Sequence, residues 1–316
     1  MADEKRDYRQ EVTADIIKLL ESGTAPWQKP WRADGTMRLP MNPTTGKPYR
    51  GGNVMWPTIQ NMRKGYGDPR WMTYKQSADN GWQVRKGEKG SQIEFWDVGR
   101  SKDDGESDAD KSRYMIHRIY TVFNAQQIDG VPAVVVQPFQ PREVCEVGER
   151  ILANSGADIV HAGERAFYNR GTDRIYPPPK ELFPDAPGYY GTSIHEMTHW
   201  TGHEKRLNRE TLNKSRACSH DDEHYAREEL VAEIGSMMLA AEKGIPHDPE
   251  QHAAYADSWL KALKKDKNEV FRAASAASRA ADYILNLEKA VAHDAADEQP
   301  RSHVERVQSD RSILQR

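Results

Sequence analysis

Cysteine is scarce in this chain: Cys145 and Cys218 are the only two in 316 residues, far apart and in no CxxC pair. That excludes a disulfide framework and points to a reducing cytosol. Long apolar runs are missing as well. Nothing approaches the roughly 20 residues needed to cross a bilayer, and Met1 to Arg6 has no apolar segment of the kind a secretory signal carries. These absences predict a soluble, cytoplasmic protein with no membrane partner. Net charge is small, −3, so overall charge argues for no particular partner. No internal repeat is visible, which excludes a solenoid.

What is present is unevenly distributed. A length of 316 residues suits about two ordinary domains. Six of the eight tryptophans precede residue 100 (Trp27, Trp31, Trp56, Trp71, Trp82 and Trp96). The first hundred residues also carry a surplus of about five positive charges, reversed in the remainder, an asymmetry that hints at nucleic-acid contact.

Hydrophobic periodicity predicts helices over 7–21 and 54–64, with a Pro- and Gly-rich ordered loop before the second. Strands are expected at 70–74, 91–98 and 113–123, and Val131 to Val136 reads as a strand or connector. Arg100 to Ser112, charged and serine-containing, reads as a solvated loop. Pro138 and Pro141 mark a boundary. Beyond it, helices are expected over 142–155, 189–202, 224–243, 249–262 and 266–291, with short strands near 157–161 and 165–169. The expected fold class is α+β in two domains: an N-terminal α+β domain over 1–138 and a mostly helical domain with a small sheet over 139–293. A polar, frayed tail is expected over 294–316.

The most specific motif is His195-Glu196-Met197-Thr198-His199. Residues four apart share a helix face, so the two imidazoles can grip one divalent ion, and Glu196 is placed to act as general base towards a water molecule. This is the zincin signature, and it points to metal-assisted amide hydrolysis. A third ligand is required. The metzincin position six residues after His199 is Lys205, which excludes that form. His203 continues the series, but Gly202 is expected to break the helix before it. The remaining source is Glu228-Glu229-Leu230-Val231-Ala232-Glu233. An acid followed by a small residue at +3 and another acid at +4 is a gluzincin-like arrangement. It makes Glu229 the ligand, with Glu228 as the adjacent competitor. It also makes Glu233 the carboxylate that orients a ligating histidine. The ligand set suits Zn2+, with Mn2+ or another divalent ion as alternatives. Tyr225, His220 and His224 are the candidates for stabilising an oxyanion. The strand at 165–169 would line the cleft or serve only as packing.

In the first part, Trp27, Lys29, Trp31 and Arg32 interleave flat rings with cations in a loop. Arg70 and Lys75 flank Trp71 and Tyr74, and Arg85, Lys86 and Lys89 punctuate a Gly-rich turn. Rings that stack on bases beside cations that meet phosphates are how single strands are bound. The competing account is that the tryptophans fill a core. Core packing is the expectation for Trp71, Trp82 and Trp96, while for Trp27 and Trp31, in a loop, exposure or a capping role is more open.

A set of motifs in order extends these observations. They are Trp27-Gln28-Lys29-Pro30-Trp31, Tyr49-Arg50-Gly51-Gly52-Asn53, Trp71-Met72-Thr73-Tyr74, Lys86-Gly87-Glu88-Lys89-Gly90 and Val122-Phe123-Asn124. Tyr189-Tyr190-Gly191-Thr192, His195 to His203 and Glu228 to Glu233 complete the set. The chain resembles the ArdC-type antirestriction proteins over roughly residues 5–290, and its first module looks like the N-terminal part of TraC-type conjugative primases. The resemblance implies a single-stranded-DNA-binding domain, with Arg50 added to its candidate contacts, joined to a zincin-like metallopeptidase-type domain. It also implies protection of incoming plasmid DNA from host restriction endonucleases, with such an enzyme or another host protein as a further partner. The alternative is a zinc metallopeptidase that DNA binding merely localises.

Overall fold

A computed structural model describes residues 7–27, 38–100, 113–134, 141–215, 222–246 and 256–297. The chain begins with α1 (Tyr8–Glu21), whose N-terminus is capped by the Asp7 carboxylate accepting from the Gln10 N–H. Tyr8, Val12, Ile16 and Leu20, four apart, form its buried stripe. A small hairpin of β1 (Met41–Asn42) and β2 (Lys47–Pro48) leads into α2 (Gly52–Lys64). Next come β3 (Trp71–Thr73), α3 (Tyr74–Asp79), β4 (Gln83–Val84), β5 (Ser91–Arg100), β6 (Arg113–Asn124) and β7 (Ile128–Asp129). An antiparallel sheet has the order β3-β6-β5, and β4 pairs with β7.

The second part runs α4 (Pro141–Asn154), β8 (Asp158–Ile159), β9 (Phe167–Asn169), β10 (Arg174–Tyr176), α5 (Ala186–Thr201) and α6 (Glu210–Lys214). It ends with α7 (Glu223–Lys243), α8 (Ala256–Lys265) and α9 (Glu269–Asp297). Its sheet has the order β8-β10-β9, with β8 parallel and β9 antiparallel to the central strand. The fold class is α+β, as expected. Among the described residues no helix is long and apolar enough to cross a membrane.

The boundary near residue 140 divides the sequence, but the main core runs across it. Val12, Ile16, Trp27, Met55 and Ile59 belong to one apolar cluster with Trp259, Leu263 and Phe271. Other differences are local. The stretch expected as loop before residue 54 holds the β1–β2 hairpin and the first turn of α2. Neither α3 nor α6 was anticipated, being shorter than hydrophobic periodicity can register. Residues 131–134 carry no regular element, and α9 continues past residue 294 to Asp297. The expected loop over 101–112 and the tail beyond 297 lie outside the described residues.

The crossing of α5 and α7 fixes the site. Ala232 is fully buried, as close packing requires. The tightest approach is one turn on, at Gly235, where an added Cβ would lie 2.7 Å from Thr198 Cγ2. Thr198 is itself held by its hydroxyl donating to the Ile194 carbonyl, 2.9 Å. Gly235→Ala is therefore expected to destabilise the protein by about 1–2 kcal/mol in chemical denaturation, over-packing outweighing the gain in helix propensity.

Candidate metal centre

Helix α5 starts where it does because Asp185 caps it, accepting from the Gly188 N–H at 2.8 Å, with proline in the first turn. This sets the phase that turns His195 and His199 towards α7. Their Nε2 atoms are 3.2 Å apart. Glu229, arriving from α7, places Oε2 3.5 Å from His195 Nε2 and Oε1 3.4 Å from His199 Nε2. All three residues are buried, and one donor atom from each lies within 4.8 Å of the others. A tetrahedral ion with bonds of about 2.0–2.1 Å sets its ligands roughly 3.3–3.4 Å apart, so two imidazoles and a carboxylate in this arrangement fit a divalent ion such as Zn2+. Glu196 is buried beside them.

Behind the donors sits a second row of acids. Glu228 Oε1 is 3.2 Å from His199 Nδ1, and Glu233 Oε1 is 3.7 Å from His195 Nδ1. Each imidazole thus has a carboxylate near the nitrogen that faces away from the donor cluster; at 3.2 Å Glu228 is within hydrogen-bond reach and orients the His199 ring, whereas Glu233 at 3.7 Å is not. Glu233 occupies the expected place. Glu228, weighed only as a rival ligand, has the corresponding place on the other histidine. Burial opposes charge on both Glu228 and His199. Even so, the Arg209 guanidinium and His199 hold the Glu228 carboxyl down at about 2. Glu229 and Glu228 raise His199 well above the usual imidazole range, and the Glu229 carboxyl lies well below its ordinary value because it faces both imidazoles.

Arg209 was not anticipated. Its guanidinium grips both oxygens of Glu228, donates to the Thr201 hydroxyl at 2.7 Å and to the Thr198 carbonyl at 2.6 Å, and is buried. The Thr211 hydroxyl adds a donor to Glu228 at 2.5 Å. Gly202 ends α5, but with an ordinary negative φ of −78°. Glycine is needed there because the Arg209 guanidinium crosses it: a Cβ would meet Nη2 at 2.6 Å. His203 is buried outside the donor cluster, with its Nδ1 accepting from the Lys205 N–H at 3.2 Å. The expected cleft strand is β9, at an edge of its sheet, where Phe167 is exposed and stacks on Tyr176 at 4.9 Å.

Of the expected nucleic-acid residues, one is corrected. Trp27 is 0 % exposed and packs edge-on against Trp259 with ring centroids 5.3 Å apart, so it is a core residue and offers no face to a base. Trp27→Ala is expected to cost about 3–5 kcal/mol of stability in a denaturant titration, as cavity creation at a buried aromatic does. Arg50 pairs with Glu242 and Asp282, tying the start of α2 to α7 and α9. Arg70 is clasped by Asp68 and donates to the Pro132 carbonyl. Both arginines are thus paired within the chain, and Arg50 keeps 34 % of its side chain exposed. Lys75 is exposed and pairs with Asp79, and Arg85 pairs with Glu88 and Asp129. Lys86 and Lys89 are exposed. Lys29, Trp31, Arg32 and His220 lie outside the described residues.

Exposed rings occur instead on the β5–β6 ribbon. Trp71 is core, as expected, but Trp96 is 48 % exposed and stacks on its cross-strand partner His117 at 4.1 Å. The neighbouring residue, Phe95, points to the other face and meets Tyr120 at 5.9 Å; both are exposed. Ile119 and Met115 extend the apolar surface and Arg118 adds a cation. The ribbon is anchored at Glu94. Its carboxylate takes a two-pronged grip from Arg9 at 2.8 Å, and Asn53 bonds its backbone N–H and C=O.

Comparison with known proteins places this geometry. The N-terminal domain of anti-restriction factor ArdC matches residues 6–123, and a zincin-like metallopeptidase model matches residues 146–276. Two DNA primase TraC proteins of Escherichia coli are each 46% identical, over 307 and 301 residues. Those alignments cover 92% and 90% of this chain but 28% and 20% of the primases, so the chain spans less than a third of their length. An uncharacterized protein, y4eC, of Sinorhizobium fredii is 34% identical over 285 residues, covering 88% of this chain and 91% of that protein. The metal-free crystal structure of antirestriction ArdC protein from plasmid R388 superposes with a TM-score of 0.74 at 40% identity, covering 90% of this chain and 98% of that one. Its Mn(II)-bound form gives 0.70 at 41% identity with the same coverage. With both modules matched in order and a solved relative covered almost end to end, the chain belongs to the ArdC antirestriction family.

Proposed function

We propose that this protein engages single-stranded DNA and shields incoming plasmid DNA from host restriction endonucleases, and that it carries a divalent metal on His195, His199 and Glu229. The observation that carries the proposal is the end-to-end match to an antirestriction protein solved with Mn(II), combined here with three buried donors at tetrahedral spacing. Zn2+ and Mn2+ both suit two imidazoles and a carboxylate. A bound ion would supply Lewis acidity. The chain's own contribution is a dry cluster in which Glu228 orients the His199 ring, Glu233 lies behind His195 and Glu196 stands ready to accept a proton. The retained Glu196 favours a second reading, peptide hydrolysis, because a purely structural site needs no general base.

The two readings separate on Glu196→Gln. If antirestriction rests on DNA engagement, the variant protects a transferred plasmid as well as the parent does. If it rests on hydrolysis, protection falls with the loss of general-base catalysis, about 10²–10⁴-fold in rate.

The DNA surface is assigned to the β5–β6 ribbon, with Lys86 and Lys89 just before it in the chain. Each base stacked on a ring is worth roughly 1–3 kcal/mol. Trp96→Ala is therefore expected to weaken binding of a labelled oligo(dT) by about ten- to a hundredfold in fluorescence anisotropy, with the fold retained. Unchanged affinity would move the site elsewhere.

A further inference from the structure

A cavity of about 490 Å³ opens between α7 and α9 beneath the loop that joins α5 to α6, a size suited to a small organic ligand. Arg209, Arg227, Arg272 and Arg279 line it against two carboxylates, Glu210 and Glu269. Glu269 is buried and shared, 3.2 Å from Arg227 Nε and 2.5 Å from Arg272 Nη2, while Glu210 is held by Lys214 at 2.5 Å. The acids are therefore committed to cations already present, and Arg272 Nη2 is shared with a second acid, Asp266, at 2.6 Å. Among the described residues Arg279 has no carboxylate partner: its guanidinium is exposed and donates to Ser275 Oγ, 3.0 Å, one turn back on α9. The floor beside it, at Val231 and Ala273, is apolar.

Guanidinium groups around a partly apolar floor select a ligand that has several acceptor oxygens on one end and a carbon body on the other. Planar donor forks match a phosphate with two parallel hydrogen bonds, which a lysine ammonium cannot do. We propose that this cavity binds a phosphate-bearing ligand of nucleotide size, with Arg279 and Arg272 on the phosphate and the sugar or base over the apolar floor. Arg209 lines the same cavity and grips Glu228 on its inner side, so the pocket backs directly onto the candidate metal centre.

The test is titration calorimetry on the full chain with dTMP, a probe too short to span the β5–β6 ribbon, so its outcome is independent of the proposed DNA surface. Saturable binding is expected. Inorganic phosphate should compete for it, and thymidine should not. Arg279→Glu should weaken it about tenfold or more, consistent with loss of a charge-assisted pair. Circular dichroism checks that this surface variant is folded, and Arg272→Gln, which keeps donors for Glu269, is the second variant. No saturable binding, binding that neither variant weakens, or displacement by thymidine but not by phosphate would overturn the proposal.

Discussion

Arg209→Met is expected to be among the most damaging single substitutions in the protein, costing about 3–5 kcal/mol in chemical denaturation, the range for removing one partner of a buried ion pair. Both side chains are almost wholly inaccessible, so loss of the guanidinium leaves a buried carboxylate without its cation. The Thr211 hydroxyl and His199 would remain as donors, but His199 is already shared with Glu229. The damage should therefore come from the stranded carboxylate more than from the lost bond. Two measurements separate these causes. Arg209→Met combined with Glu228→Gln removes the stranded charge and should recover a large part of the loss, a coupling that a double-mutant cycle reads directly. Glu228→Gln alone keeps a group able to bond His199, and its main effect should be on metal affinity rather than on folding. If the double variant is as unstable as Arg209→Met alone, the cost lies in the broken contacts to Thr198 and Thr201.

The features of this molecule that were legible in its sequence are those that depend on neighbours a few residues apart. His195 and His199 share a helix face because of their spacing, and Glu229 and Glu233 share another for the same reason. Helix α3 is legible in its capping residues, not in its periodicity: Thr73 and Gln76 form a reciprocal cap at its start. What escaped depends on pairings across long stretches of chain. Arg209 is ten residues beyond His199, in a loop whose sequence does not say that it folds back over Gly202. Trp27 sits in a stretch with the composition of an exposed loop, yet its partner Trp259 is far along the chain. Local polarity cannot reveal a cavity formed by a distant helix. The reverse error occurred at Trp96. A tryptophan within a strand reads as core, but β5 and β6 run past the body of the sheet as a two-stranded ribbon, where Phe95 on one face and Trp96 on the other both meet solvent. Alternation tells which residues share a face, and says nothing about whether that face is covered.

Glu229→Ala should abolish tight metal binding while leaving the fold intact, which would distinguish the third ligand from its neighbour. The three donor atoms are the only buried group of this kind among the described residues. Deleting one leaves two imidazoles, too few to complete a protein-held tetrahedral site. Affinity for Zn2+ or Mn2+ in calorimetry is expected to fall by more than the roughly 10–100-fold that losing an orienting carboxylate costs. Glu228→Gln and Glu233→Gln should stay within that smaller range, because each touches only the far nitrogen of one imidazole. The same ranking should appear in thermal melts. With free metal at a hundred times its Kd, binding adds about 2.7 kcal/mol to the stability of the native state. Chelation should therefore lower the Tm of the parent and, less so, of the two glutamine variants, and should leave Glu229→Ala unmoved. In the metal-free protein Glu229 faces both imidazoles, so its removal leaves His195 and His199 facing each other with Glu228 and Glu233 behind them. Those rear carboxylates are what should keep the variant folded. A Glu229→Ala protein that still gains Tm from added metal would transfer the third ligand to another residue, with Glu228 the first to examine.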